Sequence, residues 1–350
     1  MLYKIIKNKT FKIIYICSVF SNKFIILLVV LVLFCTSLIF INLLTGYENI
    51  SLCDLFLSED ETKRLIISYR FNKIFAVVLA GISLPVSGFL LQELFKNPLA
   101  ESSILGISSA SALSVSLIIF FGGSYWLLEY PLLSNWMLAI GAFLGALIVS
   151  IFLLLTIKKI KNISMFIIIG FLISSFCGSI ISMLQFYSQS EKLKQYVFWS
   201  FGSFEGLTSM QLIIYALFIV LGLFLALMSV KNLTGFLLGE EYAKVLGVSV
   251  ISMKACIILS VCFLSGSTTA MLGPIVFIGI IIPHFCRQIW NPASLWNQLI
   301  LNMGVGVAFM LTVSLIMSYT QLPVNILSSL IGVPTIFFMI FKTQLKNNLY

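Results

Sequence analysis

Long apolar runs constrain this chain most, because a helix of roughly 20 apolar residues is long enough to cross a lipid bilayer. Hydrophobic residues make up 60% of the chain, charged residues 9%, and the mean hydropathy is +1.11, which excludes a soluble domain. The sequence therefore predicts an all-α polytopic membrane protein with about ten transmembrane helices. The ten candidate segments are 24–45, 67–91, 104–121, 134–157, 163–187, 209–230, 252–272, 275–290, 298–319 and 323–342. Asn97-Pro98 predicts a turn between the second and third segments, and Glu101 is expected in the first turn of the helix that follows.

Loop charge predicts the orientation of these segments, since basic residues concentrate in cytoplasmic loops. With the N-terminus in the cytoplasm, the inner side holds fifteen basic and four acidic residues, against six and eight outside. Both termini are then cytoplasmic, and the net charge of +9 reflects membrane topology and not a nucleic-acid partner. Residues 1–23 form a basic N-terminus before a retained signal-anchor, 24–343 a single transmembrane domain, and 344–350 a tail.

A short charged stretch, Gly235 to Gly247 (GFLLGEEYAKVLG), interrupts the apolar runs. Gly239 is a plausible helix start, and Glu240 and Glu241 place negative charge at the positive end of the helix dipole. Leucine, tyrosine and valine side chains give the helix an apolar side. A helix at about 235–248 is predicted to be a docking surface for another protein; an amphipathic helix lying on lipid is the alternative.

Small residues recur every four positions in the fifth segment, at Gly170, Ser174, Gly178 and Ser182. This spacing places them on one helical face. Such a face lets helices pack closely in lipid, which is the simpler interpretation of most small residues here. A smooth, small and polar face can also line a path for cargo, and that role is predicted for these four residues.

The chain offers little for chemistry or ion coupling. No acidic or basic residue is expected in the middle of a span, which disfavours a transporter driven by an ion gradient. His284 is the one histidine, and the seven cysteines form no CxxC pair, so neither a metal site, a cofactor nor an intramembrane enzyme is indicated. The phosphate-binding pattern GxxxxGK[ST] does not occur, so any ATP hydrolysis requires a separate subunit.

Five sequence blocks stand out between about 65 and 340. In chain order they are Arg70-Phe71-Asn72-Lys73; Gln92, Asn97-Pro98-Leu99-Ala100, Leu105-Gly106 and Ser108-Ser109-Ala110; Gly239-Glu240-Glu241, Ala243 and Leu246-Gly247; Gly273-Pro274-Ile275, Phe277, Gly279, Pro283-His284 and Arg287; and Leu322-Pro323, Gly332 and Pro334. In this order and at this spacing, the blocks resemble the FecCD-type permeases of bacterial ATP-binding cassette (ABC) importers for iron chelates and cobalamin.

The resemblance implies a permease domain of ten spans without a nucleotide site of its own, in the bacterial cytoplasmic membrane. It implies pairing with a second permease copy or paralogue, two cytoplasmic ATPase subunits and an extracytoplasmic substrate-binding protein. Its coupling helix, which inserts into the ATPase, corresponds to these residues: Gly239, Glu240, Glu241, Ala243, Leu246 and Gly247.

The family's docking arginines before the second span correspond to Arg70 and Lys73, although both side chains could instead reach lipid headgroups. A further family arginine corresponds to Ser314, a departure that bears on docking of the binding protein. Asn162 and Ser164 fall in the family's cytoplasmic gate region. The expected mechanism is alternating access driven by ATP, with a ferric siderophore, haem or cobalamin as cargo.

Overall fold

A computed structural model describes residues 22–46, 60–122, 131–157, 163–290 and 294–347. All regular structure in these ranges is helical. The helices are α1 (Asn22–Leu44), α2 (Glu61–Phe95), α3 (Ile107–Phe121), α4 (Pro131–Thr156), α5 (Ile163–Phe186), α6 (Ser190–Phe201), α7 (Ser209–Leu237), α8 (Glu240–Val245), α9 (Val250–Val261), α10 (Ser267–Leu272), α11 (Ile278–Ile289), α12 (Leu295–Thr320) and α13 (Val324–Asn347).

Each of the ten predicted apolar segments is helical. Among the described residues, seven helical stretches have the length and composition to cross a membrane, with α9 and α10 forming one continuous stretch. Three shorter apolar helices, α3, α11 and the part of α13 at Val324–Phe338, correspond to the other predicted segments. The predicted all-α membrane architecture is therefore confirmed.

Helix α6 was not predicted, because its mixed composition gives no hydropathy signal. It begins after Gln189 and ends at Gly202, which has φ 71°. Its Lys192 ammonium group donates to the carbonyl groups of Phe120 (2.8 Å) and Gly122 (3.0 Å) at the end of α3. Tyr196 is buried against the Phe120 ring at a centroid distance of 5.7 Å. These contacts hold α6 across the end of α3.

Helix α2 lies at the centre of the array, with 83% of its most apolar window buried. It packs closely on α12, because a methyl group built on Gly81 would lie 2.7 Å from the Val307 Cα atom. Two turns along, Gly88 contacts the backbone of Gly279 in α11 just as closely. Close packing is the predicted role of these small residues. In lipid the hydrophobic effect does not drive helices together, so their association depends on close contact between their backbones.

A five-residue π-helical turn, Cys262–Gly266, separates α9 from α10. The Thr268 hydroxyl donates to the Leu264 carbonyl at 2.6 Å and also lies 2.7 Å from the Ser83 hydroxyl of α2. The hydroxyl of Tyr215 in α7 is 2.9 Å from the same Thr268 oxygen. The Thr268 hydroxyl thus adds a hydrogen bond to a backbone carbonyl of the π turn and joins the turn to α2 and α7.

Residues 96–106, here named the re-entrant segment, are not helical although they enter the helix array. Lys96 ends α2 with φ 47°, and Gly106 precedes α3 with φ 80°. Asn97 accepts a hydrogen bond from the backbone of Leu99 (3.0 Å), which confirms the turn expected at Asn97-Pro98. Helix α3 consequently has only 15 residues. Irregular backbone at such depth is tolerated where protein surrounds it.

Glu101 corrects one expectation from the sequence. It lies in the re-entrant segment and not in the first turn of the following helix, which begins at Ile107. Its side chain is buried beside Gly279, where Leu84 of α2 also approaches. Leu84 is about 16 Å from the end of α2 at 1.5 Å per residue. An ionisable group therefore lies inside the array, although not in the middle of a spanning helix.

Candidate functional site

Helix α8 forms a short projection between α7 and α9, as predicted for the stretch 235–247. It spans Glu240–Val245, only six residues. Gly239 before it has φ 125° and Gly247 after it has φ 78°. No heavy atom lies within 4 Å of a methyl group built on either glycine, so a larger side chain would have room at both positions. Glycine is required there because of the positive φ angle of the backbone.

Two lysines from neighbouring elements hold α8 in place. Lys254 Nζ in α9 lies 3.7 Å from Glu240 Oε2, and its side chain is only 9% exposed. Lys96 Nζ at the end of α2 donates to the Leu237 carbonyl at 3.3 Å. Both ammonium groups lie over the ring of Phe236, at 5.7 Å for Lys96 and 5.8 Å for Lys254. The projection is therefore fixed to the array from two sides.

Ala243 is the one fully buried residue of α8, at 0% exposure. On the outer side, Lys244 Nζ pairs with Glu241 Oε1 at 2.8 Å and with Glu240 Oε1 at 3.5 Å. The hydrogen bond from Lys244 lowers the pKa of the Glu241 carboxyl group, and the same bond raises the pKa of Lys244. Both groups are charged at neutral pH and face outward.

The apolar side of α8 points away from the protein. Val245 is 85% exposed, and the side chains of Leu238, Tyr242 and Leu246 are also exposed. These four side chains, here named the α8 patch, are each more than half exposed, so packing within the described part of the chain leaves most of this apolar surface uncovered. Its position beside two carboxylates and one ammonium group favours a partner with mixed apolar and charged surface. A lipid surface is the alternative that the sequence left open.

The predicted docking residues lie at the opposite end of the array and make internal contacts. Arg70 is buried, and its guanidinium donates to the Leu43 carbonyl at 2.7 Å, near the end of α1. Lys73 Nζ pairs with Glu205 Oε1 at 3.3 Å, and the hydroxyl of Ser318 is also 3.3 Å away. Both cations thus tie helices together at this end. A role in docking a binding protein stays a prediction.

The small-residue face of α5 divides into two halves. Gly170 packs on the re-entrant segment, where a methyl group on it would lie 2.7 Å from the Leu105 Cα atom. The Ser174 hydroxyl donates to the Ser103 carbonyl at 2.9 Å. Gly178 and Ser182, by contrast, are exposed, and nothing lies within 4 Å of a methyl group built on Gly178. Only the second half is free to line a path, and that role stays a prediction.

The remaining predicted positions have different outcomes. Asn162 lies outside the described residues; Ser164 begins the first turn of α5, and its side chain is likewise outside them. His284 lies in α11, and the part of the chain that the structure describes contains no cluster of three metal-ligating side chains. Ser314 is fully buried in α12, and its hydroxyl has no hydrogen-bond partner. A serine there cannot present charge to a binding protein.

Comparison with known proteins agrees with this architecture. The family model described as the FecCD transport family matches residues 26–342. The chain belongs to the FecCD transport family. This assignment makes it a transport permease, and its apolar helices make it a multi-pass membrane protein.

Individual FecCD relatives align over most of their length. The hemin transport system permease protein HmuU of Yersinia pestis is 31% identical over 294 residues, 82% of this chain and 86% of that protein. The vitamin B12 import system permease protein BtuC of Photorhabdus laumondii is 31% identical over 292 residues, covering 81% and 84%. A solved metal-chelate type ABC transporter in an inward-facing conformation has a TM-score of 0.78 at 28% identity, covering 91% of this chain and 99% of that one.

The contacts of the re-entrant segment were not predicted from the sequence. Glu101, Ser102 and Ser103 each contact a different neighbouring element. The signal was present in the sequence: an acidic residue and two serines stand where a helix was predicted to begin. Which element each would contact could not be predicted, because those contacts join positions more than 70 residues apart.

Proposed function

We propose that this FecCD permease is the membrane subunit of an ABC importer, and that α8 is the surface through which a separate ATPase drives it. The α8 patch is the observation that carries the proposal. It belongs to an acidic projection that Lys254 contacts directly and that follows Leu237, the partner of Lys96, and its apolar side chains are exposed within the described part of the chain. A loop that only connected α7 to α9 would require none of these features.

The orientation follows from charge. The α8 end carries Lys96, Lys244 and Lys254, and the loop-charge rule assigns this end to the cytoplasm. The opposite end, with Lys73 and Glu205, then faces the binding protein. Both termini are cytoplasmic in this arrangement, and an ATPase in the cytoplasm can reach α8.

A second permease copy or a paralogue completes the path. Helix α5 has only 17% of its most apolar window buried within the chain, and α13 exposes large apolar side chains at Leu330, Val333 and Phe337. Lipid could cover such surfaces, but the exposed small residues Gly178 and Ser182 favour a partner or a passage. Two copies facing each other across α5 would enclose a path between them.

ATP supplies the energy in this mechanism. Two ATPase subunits close on binding ATP and bring the two α8 helices together. The array then switches the path from one face of the membrane to the other, which is alternating access. The permease contributes binding surfaces and a moving path, and the hydrolytic chemistry belongs to the partner.

The cargo is proposed to be a bulky metal chelate: haem, cobalamin or a ferric siderophore. The names of the relatives carry this proposal, since HmuU transports hemin and BtuC imports vitamin B12. The exposed half of the α5 face carries only small and weakly polar residues, Gly178 and Ser182. Such a surface suits a cargo that is released from its binding protein and passed through without being held tightly.

Retention of the ATPase subunit during purification tests the role of α8. Val245→Asp places a charge in the centre of the α8 patch without removing an internal contact, and it is expected to abolish retention. Leu65→Asp, at an exposed apolar position near the opposite end of α2, is the matched control and is expected to retain the ATPase. Equal retention by both variants would indicate that α8 lies on lipid and would contradict the proposal.

A further inference from the structure

Glu101 lies at the start of a helix that belongs to a distant part of the chain. Helix α11 follows Phe277, whose side chain cannot accept hydrogen bonds from the first free backbone N–H groups. The Glu101 side chain is buried against this start, and its Oε1 atom is 3.2 Å from a methyl group built on Gly279. An N-cap side chain normally comes from the residue adjacent to the helix. The start of α11 therefore packs on the re-entrant segment, where an acceptor group suits the free N–H groups of the first turn.

Ser102, the next residue, fastens the re-entrant segment to the π turn. Its hydroxyl lies 2.6 Å from the hydroxyl of Ser265, and both side chains are buried. The π turn lies in the same continuous stretch as α9, which begins at Val250, directly after α8 and its following turn. A displacement of α8 along α9 would reach Ser102 through this bond.

The third consecutive residue, Ser103, fastens the segment to α5. Its carbonyl group accepts the hydrogen bond from Ser174, and Gly170 packs against the backbone at Leu105. At its other end, Lys96 bonds to the Leu237 carbonyl, three residues before the start of α8. The re-entrant segment thus contacts the surroundings of α8 at one end and α5 at the other.

We propose that the re-entrant segment transmits movement of α8 to α5, with Glu101 and Ser102 as positioning residues. The inference rests on the proposed function, since it assumes that an ATPase moves α8. Its physical basis is that close-packed elements joined by buried hydrogen bonds shift together. Loss of the contacts of Glu101 or Ser102 would allow α8 to move without a corresponding movement of α5.

The test is the number of cargo molecules imported per ATP hydrolysed, measured on the full complex in proteoliposomes with binding protein loaded with haem, cobalamin or a ferric chelate. Ser102→Ala removes the bond between segments and is expected to lower this ratio about fivefold, the effect of losing one buried hydrogen bond. Ser116→Ala is the matched control, because its buried hydroxyl bonds only to Leu113 within α3. It is expected to keep the wild-type ratio.

Glu101→Gln replaces one carboxyl oxygen by an NH2 group, which cannot accept a hydrogen bond, at nearly constant shape, and it is expected to lower the ratio about fivefold. Glu101→Asp keeps the carboxyl group and is expected to recover part of the loss. A wild-type ratio in Ser102→Ala, or the same fall in Ser116→Ala, would overturn the inference even where Glu101→Gln does not assemble. A wild-type complex that imports nothing with ATP would instead refute the proposed function.

Discussion

Lys254 Nζ lies 3.7 Å from Glu240 Oε2 and 5.8 Å from the centroid of the Phe236 ring. One nearly buried ammonium group in α9 thereby contacts both α8 and the last turns of α7. The helices on either side of the projection share this contact. Force applied to α8 would therefore reach two long helices of the array at once.

Replacement of Lys254 by methionine should uncouple α8 from the array while the fold remains. The apolar stem is kept and the charge is lost. Because Glu240 is more than one third exposed, we expect a change in unfolding free energy of at most about 1 kcal/mol. Import per ATP hydrolysed should fall severalfold. Thermal unfolding and the transport ratio measure the two effects separately.

The control for this variant is Lys231→Met. Lys231 is an exposed lysine near the same end of α7, and the described residues give it no ion pair. The change in charge is the same in both variants. A similar fall in the transport ratio for the two would contradict the account and indicate a general effect of positive charge at this end.

Gly239→Ala should strain the junction between α7 and α8. A backbone with φ 125° and ψ 148° is accessible almost only to glycine, and a side chain there costs about 1–3 kcal/mol. We expect α8 to shift and the purified variant to lose ATPase subunit. Gly235→Ala is the matched control, since Gly235 lies within helix α7 and a methyl group on it makes only ordinary contacts, the nearest at 3.4 Å. Equal retention of the ATPase subunit by the two variants would show that the backbone conformation at Gly239 does not position α8.

Leucine substitutions on α5 should distinguish the residues that pack within the array from the residues that line the predicted path. Gly170→Leu would drive a side chain into the backbone near Leu105, so we expect poor assembly and a lowered unfolding temperature. Gly178→Leu enters open space and should leave the unfolding temperature unchanged while reducing cargo import. Wild-type import by a folded Gly178→Leu protein would remove Gly178 from the predicted path.

Much of the fold could be predicted from sequence because apolar length and loop charge are local properties. The ten apolar segments are helical, and the glycines and carboxylates around α8 predicted its position. Helix α6 could not be predicted in this way, because Glu191, Lys192 and Lys194 lower its hydropathy. Its stability depends on contacts with the end of α3, which no local pattern encodes.

The environments of individual charges were harder to predict. Arg70 and Lys73 stand where exposed docking residues were expected, yet both bond within the chain. Glu101 was assigned to the first turn of a helix, but it is buried in the re-entrant segment beside Gly279 of α11. In each case the partner is remote in sequence, so the packing of the whole array decides how exposed the charge is.

ATP-dependent import in proteoliposomes tests the central claim most directly. The vesicles would contain this chain with its ATPase subunits, ATP would be sealed inside, and binding protein loaded with haem, cobalamin or a ferric chelate would be added outside. The account predicts that cargo accumulates only with internal ATP and that Val245→Asp abolishes the accumulation. Accumulation of cargo in a proton or sodium gradient without ATP would contradict the account. Accumulation by the Val245→Asp variant at the wild-type level would also contradict it.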